Sequence, residues 1–292
     1  MKELRGTGVA MVTPFDANGQ VDFPALEKLS EHLINGGADY LVVMGTTGES
    51  VTLTKHEKQE VLDSVLKTNA NRLPVVLGVG GNNTAEVCAQ LNSLNTDGLS
   101  AILSVSPAYN KPTQDGIYAH FQAISHASPL PIILYNVPGR TASNMEATTT
   151  LRLAKDFENI VAIKEASGNL DQCMQIIKNR PEKFLVISGD DNLSLPLIAC
   201  GADGVISVGA NALPKQFSSL ISKSLNGNFD EARSTHYKLV DIINLLFKEG
   251  NPAGVKCVLK ELGICEENVR LPLVQVSEKL RGELLSLVKS LN

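Results

Sequence analysis

Eight short apolar runs, each followed by a stretch with helical spacing, constrain this chain more than any other feature. The runs are Gly8–Val12, Tyr40–Met44, Val75–Val79, Leu99–Val105, Ile132–Tyr135, Ile160–Lys164, Phe184–Ser188 and Val205–Val208. They are rich in Val and Ile and nearly continuous in apolarity, as parallel strands buried on both faces are. Helix signatures fill the intervals. Thr54-Lys55-His56-Glu57 reads as a capping box, and Val61, Leu62, Val65 and Leu66 follow on one face. Thr84 to Leu94 and Leu170 to Ile177 are spaced similarly. Gly37-Ala38-Asp39, Thr96-Asp97-Gly98 and Gly201-Ala202-Asp203-Gly204 each precede a strand. Glycine there ends a helix in a left-handed conformation before the chain enters the sheet.

Eight strands in about 210 residues give roughly 26 residues per unit, the size of a βα repeat in a barrel. A doubly wound open sheet is the competing architecture. Eight units without a glycine-rich phosphate loop favour closure into a (β/α)8 TIM barrel. Beyond Asn211 the pattern turns wholly helical through Leu291, interrupted at Gly250-Asn251-Pro252. The chain therefore reads as a catalytic barrel over 1–224 with a helical region over 225–292. No linker composition separates the two, so the second is expected to pack on the first.

Composition bounds the function. At 292 residues with 43% hydrophobic and 20% charged side chains, the chain has enough apolar surface for one large core. A net charge of −5 without any Lys/Arg run gives no surface for nucleic acid or an anionic membrane. No apolar run approaches the roughly 20 residues that span a bilayer, and no signal-peptide apolar region opens the sequence. Five scattered cysteines without a CxxC pair suit a reduced, cytoplasmic protein.

Several familiar signatures fail. Glu60 stands where a zincin helix starting at His56-Glu57 needs its second histidine. Asn83 breaks a dinucleotide fingerprint begun at Gly78-Val79-Gly80, no Gly-Lys dipeptide exists for a Walker A loop, and Thr52 breaks G-x-S-x-G. The five histidines show no ligand spacing, so no metal is expected.

What remains is polar chemistry at the ends of apolar strands, where a barrel builds its active site. Lys164 ends the run Ile160-Val161-Ala162-Ile163. Alternation puts Ile160, Ala162 and Lys164 on one face, and Val161, Ile163 and Glu165 on the other. Small Ala162 leaves room for a lysine stem. A free lysine, with pKa about 10.4, is neutral less than about once in a thousand at pH 7. Burial without an anion lowers such a pKa and makes the amine a nucleophile toward carbonyls. The bland alternative is a lysine snorkelling to solvent. Tyr135 ends another run and can relay protons, or sit as a half-buried aromatic. Thr46 and Thr47 lie in Gly45-Thr46-Thr47-Gly48-Glu49-Ser50, where hydroxyls and backbone N–H groups can hold a carboxylate. As a lone loop the same residues are a capped turn.

Three segments in order at strand ends change that balance: the Gly45–Ser50 loop, Tyr135-Asn136-Val137-Pro138-Gly139-Arg140-Thr141 and Ile163-Lys164-Glu165-Ala166-Ser167-Gly168. Together they closely resemble the dihydrodipicolinate synthase family of pyruvate-dependent class I aldolases. The likeness continues through Pro107-Ala108-Tyr109-Asn110-Lys111-Pro112, Ser188-Gly189-Asp190-Asp191, Gly204-Val205-Ile206-Ser207-Val208 and Asn251-Pro252, covering essentially the whole chain. The resemblance implies condensation of pyruvate with L-aspartate 4-semialdehyde to 4-hydroxy-tetrahydrodipicolinate in lysine and diaminopimelate biosynthesis, without metal or organic cofactor. It implies that Lys164 forms a Schiff base with pyruvate. Tyr135, Thr46 and Tyr109 would move protons, Tyr109 coming from a neighbouring subunit of a homotetramer built as a dimer of dimers. Thr47 would hold the pyruvate carboxylate, Ile206 would line the pyruvate pocket, and Arg140 would receive the second substrate's carboxylate. A sister aldolase acting on a polyol aldehyde would keep Lys164 and Tyr135, but Arg140 argues against it. A silent keto-acid-binding barrel would lose the lysine or the hydroxyls, and this chain keeps both.

The chain also departs from the family. Ser50, Asn82 and Glu86 match the pattern of members that bind L-lysine at a subunit interface. Lys55 and Lys58 stand where those members often carry histidines, and Ala108 where they often carry tyrosine. Each ammonium repels a cationic ligand by about 1 kcal/mol at contact distance in water. Loss of an aromatic wall removes a cation–π contact worth about 0.5–2 kcal/mol. Weak or absent feedback inhibition by L-lysine is the expectation. If both lysines point to solvent, only the aromatic loss counts.

Overall fold

The computed structural model describes residues 2–291, so the outermost limits given above, 1 and 292, lie outside the described residues. Eight parallel strands pair in sequence order and close into a barrel. They are β1 Gly6–Ala10, β2 Tyr40–Val43, β3 Val75–Gly78, β4 Ala101–Val105, β5 Ile132–Asn136, β6 Ile160–Glu165, β7 Leu185–Ser188 and β8 Gly204–Ser207. Each predicted run holds a strand, with limits shifted by one or two residues. At β1, where both limits move by two residues, the shift has a steric cause. Gly6 pairs with Gly204 to close the barrel, and a Cβ on Gly204 would lie 2.1 Å from the Gly6 carbonyl oxygen. Two glycines let the first and last strands meet there, so β1 begins earlier than its apolar run suggests.

Helices on the outside return the chain from each strand to the next. The helix Lys55–Asn69 starts in the predicted capping box: the Thr54 hydroxyl accepts from the Glu57 N–H, and the Glu57 carboxylate accepts from the Thr54 N–H. Its buried face is Val61, Leu62 and Val65. Gly37 and Gly201, just after helices ending at Asn35 and Ala199, hold φ of 86° and 108° as expected, whereas Gly98, at φ 76°, does not end a helix: the one before it stops at Asn92.

Two cores result. Between strands and helices lies the main one, including Val9, Leu41, Val75, Ile102, Ile132, Ile163 and Val205. Inside the barrel lies a second, of Leu4, Tyr40, Val42, Ile133, Ala162, Ile187 and Ile206, reaching Tyr135 near the carboxyl end. The alternation expected along β6 fails at its start. The register against β5 slips between Ile132 and Ile133, so that Ile160 and Ala162 face consecutive residues. The extra residue resets which side each side chain takes. Ile160 packs in the outer core and Val161 against the inner one, opposite to the simple alternation. Ala162 and Lys164 lie beyond the slip, so the inward placement of Lys164 survives it.

After the last barrel helix, Pro214–Leu225, come Phe229–Phe247, Ala253–Glu261 and Glu278–Leu291. The tail is not wholly helical: residues 265–277 form an irregular strap. Side chains from outside the strap, one near in sequence and one far, satisfy its backbone. The Lys256 ammonium donates to the Asn268 carbonyl at 2.8 Å, and the Arg270 N–H donates to Glu49 at 2.9 Å. Among the described residues no helix is long and apolar enough to cross a membrane.

Candidate active site

At the carboxyl ends of β5 and β6, parallel pairing places Tyr135 opposite Lys164. The ammonium lies 4.4 Å from the centroid of the tyrosine ring. Both side chains are buried, Lys164 to 5% and Tyr135 to 7% exposure. That rules out the snorkelling lysine. Among the described residues no carboxylate pairs with this ammonium, and the tyrosine π-face is the partner it meets. Gly189, just after β7, lies in a segment quoted for the family likeness but was given no role from the sequence. A Cβ there would come within 3.0 Å of the Lys164 Cε, so the missing side chain is what makes room for the lysine stem. Ile206, 1% exposed, belongs to the same inner cluster as Tyr135.

Behind this pair sits a buried carboxylate. Glu165, 2% exposed, faces the helices and accepts from the Asn136 amide at 3.1 and 3.2 Å, the Gln172 amide at 2.9 Å and the Ser167 N–H at 2.9 Å. Asn136 follows Tyr135 and Glu165 follows Lys164, so this outer clamp fixes the backbone from which both inner side chains project. Sequence reasoning placed Glu165 on the outer face but gave no sign of its partners.

The loop after β2 forms a 3-10 turn over Thr46–Gly48. Thr47 is 3% exposed, and its hydroxyl accepts from the Asn251 amide at 3.0 Å. Thr46 is exposed. The next residue after the turn, Glu49, turns back at φ 51° and forms a buried ion pair with Lys256 at 2.6 Å. Burial pushes the Lys256 ammonium down from its ordinary value, while the Glu49 charge opposes that. Asp191, following β7, is also buried, and its carboxylate accepts from the N–H groups of Val208 and Gly209 at 3.2 and 2.8 Å. Burial raises its carboxyl to about 6 against the lowering effect of its hydrogen bonds.

Tyr109 and Arg140 stand apart. Tyr109 is 89% exposed at φ 68°, held by its N–H donating to the Thr141 carbonyl at 3.1 Å. Arg140 is exposed on the short helix Pro138–Thr141 that follows β5. Among the described residues no hydrogen bond joins Tyr135, Thr46 and Tyr109. The fold thus brings Lys164, Tyr135 and Ile206 into one interior and leaves Thr46, Tyr109 and Arg140 exposed. Of the residues compared with lysine-binding members, Asn82 accepts from the Ala108 N–H at 2.8 Å, Lys55 and Glu86 are exposed, and Lys58 is half-buried.

A closed parallel barrel with a buried lysine against a tyrosine at its carboxyl end has the architecture of a (β/α)8 enzyme, with an amine where such barrels build their sites. The profile of the dihydrodipicolinate synthetase family matches residues 3–291, and the chain belongs to that family. It is 52% identical over 292 residues to 4-hydroxy-tetrahydrodipicolinate synthase of Flavobacterium psychrophilum, covering all of both chains. The same-named protein of Azobacteroides pseudotrichonymphae is 55% identical over 275 residues, 94% of this chain and 93% of its own. The solved dihydrodipicolinate synthase of Aquifex aeolicus superposes with a TM-score of 0.95 at 42% identity, covering 99% of this chain and 98% of that one.

Proposed function

We infer that this protein condenses pyruvate with L-aspartate 4-semialdehyde to 4-hydroxy-tetrahydrodipicolinate, in lysine and diaminopimelate biosynthesis. The observation carrying the reading is the buried Lys164–Tyr135 pair, in a chain similar over its full length to synthases of that name. The Lys164 amine attacks the pyruvate carbonyl, and loss of water leaves an imine. Protonation of that imine provides the electron sink, so the methyl carbon can lose a proton and become an enamine without metal or organic cofactor. The enamine carbon adds to the aldehyde, whose oxygen takes a proton. The substrate's own amine then attacks the imine carbon, closes the ring and displaces Lys164.

Each step moves a proton, and hydroxyls suit that work. Tyr135 lies nearest the imine, and Thr46 and Tyr109 extend the relay. Tyr109 serves a neighbouring subunit's site, which accounts for its 89% exposure in the isolated chain and for the open relay. Thr47 holds the pyruvate carboxylate, Ile206 lines the pyruvate pocket, and exposed Arg140 takes the carboxylate of the semialdehyde as a bidentate partner. The working form is a homotetramer, a dimer of dimers, in the cytoplasm. The barrel over 1–224 and the helical region over 225–292 act as one unit, because the site loop is anchored from both.

Borohydride added with pyruvate is expected to inactivate the protein and leave a covalent adduct on Lys164. Peptide mass mapping that found the adduct on another lysine, or none, would overturn the mechanism. A coupled assay comparing aspartate semialdehyde with sugar aldehydes separates this reading from a sugar-acid aldolase.

A further inference from the structure

Thr47 is held by a residue that lies 204 positions further along the chain. The Asn251 amide, 7% exposed, donates to the Thr47 hydroxyl at 3.0 Å, and its own oxygen has no hydrogen-bond partner among the described residues. A threonine hydroxyl carries one proton and two lone pairs. With one lone pair committed to Asn251, its proton is directed elsewhere, as a donor. The surrounding loop is fixed from the same region. Glu49, two residues on, takes the Lys256 ammonium on one oxygen and the Arg270 N–H on the other, and the Gly48 carbonyl accepts from the Thr13 hydroxyl at 2.7 Å. The loop that carries the Thr47 oxygen is thus held from several sides, and the Asn251 amide bars the hydroxyl proton from the direction it occupies.

We propose that Asn251 is a positioning residue for pyruvate: its amide aims the Thr47 hydroxyl so that the proton is donated to the pyruvate carboxylate. This rests on the reading of Thr47 as the carboxylate ligand. Asn251 touches no substrate; it acts through Thr47. An anionic acceptor makes the donated hydrogen bond strong, and a hydroxyl pointed the wrong way offers that anion a lone pair instead.

Steady-state kinetics on four variants test the proposal. Asn251→Ala is expected to raise the pyruvate KM about tenfold, the effect of losing order in one charge-assisted hydrogen bond. The KM for the semialdehyde should stay unchanged. Asn251→Asp keeps the shape but can only accept, so it draws the Thr47 proton away from the substrate and raises the pyruvate KM further. Thr47→Val is expected to raise the pyruvate KM by itself, and adding Asn251→Ala to it should change nothing more, because the two act on one contact. A wild-type pyruvate KM in Asn251→Ala, or in Asn251→Asp should the alanine variant not fold, overturns the proposal. So does a double variant whose KM is the product of the two single effects. A Thr47→Val enzyme with unchanged pyruvate KM instead overturns the reading of Thr47 itself.

Discussion

Asp191 shows how a single buried carboxyl carries a pH dependence into this fold. Its pKa is about 6 in the folded chain against 3.8 for the free side chain, because burial outweighs the hydrogen bonds from the β8 turn. The folded state therefore binds its proton first as pH falls. Stability from this group is present below the unfolded value and lost as pH rises toward 6, a change on the order of 3 kcal/mol. An asparagine side chain at this position keeps an oxygen for the Val208 and Gly209 N–H groups but has no charge to bury. Asp191→Asn should therefore gain stability relative to wild type between about pH 4 and 6. Denaturant unfolding at several pH values checks this; a constant difference between the two proteins would sink it. Lys55 and Lys58 carry the second expectation at this scale. Lys55 is exposed and Lys58 half-buried, so of the two only Lys55 is clearly turned to solvent and Lys58 still counts beside Ala108. In a lysine titration of the coupled assay, inhibition should be weak or absent. Strong inhibition at submillimolar lysine would show that Ser50, Asn82 and Glu86 suffice.

Among the elements, the Gly45–Ser50 loop depends on the region after the barrel more than on its own strand. Lys256 and Glu49 are both essentially fully buried, and taking away one partner leaves the other charge without compensation. Lys256→Met is expected to cost about 3–5 kcal/mol, and Glu49→Leu added to it should recover part of that loss. Equal midpoints for Lys256→Met and wild type in denaturant melts would show that the pair does not hold the loop. What the sequence made legible follows the same division. Strands buried on both faces write themselves as unbroken apolar runs, and polar residues ending such runs stand out, so the burial of Lys164 and Tyr135 at strand ends could be anticipated. The slip at the start of β6 leaves no trace in residue types, which is why the sides of Ile160 and Val161 were misassigned. The strap at 265–277 hides its hydrogen bonds in Glu49 and Lys256, and Asn251 hides its role in Thr47; local patterns do not reach across such distances.

For the whole molecule, the exposed Tyr109 is the sharpest statement about assembly. Tyr109, 89% exposed in the isolated chain, is the residue through which the proposed sharing of sites between copies can be tested. Tyr109→Phe and Lys164→Ala should each be inactive alone, whereas mixed subunits should recover some activity, since a hybrid contains one site with an intact lysine and a partner's intact tyrosine. No recovery in subunits shown to exchange would return Tyr109 to its own site or remove it from the reaction. The long reach of Asn251 and Lys256 also has a consequence in time. The ribosome finishes the eighth strand at Ser207, when the barrel has every strand it needs but neither residue that secures Thr47 and Glu49 has been made. At about 5–20 residues per second, the loop at Thr47 waits roughly 10–40 s from its own synthesis for Asn251 to appear. Throughout that interval the Gly45–Ser50 loop is without the Asn251 and Lys256 contacts that hold it. Fixing of the Gly45–Ser50 loop is thus deferred to the closing stretch of translation.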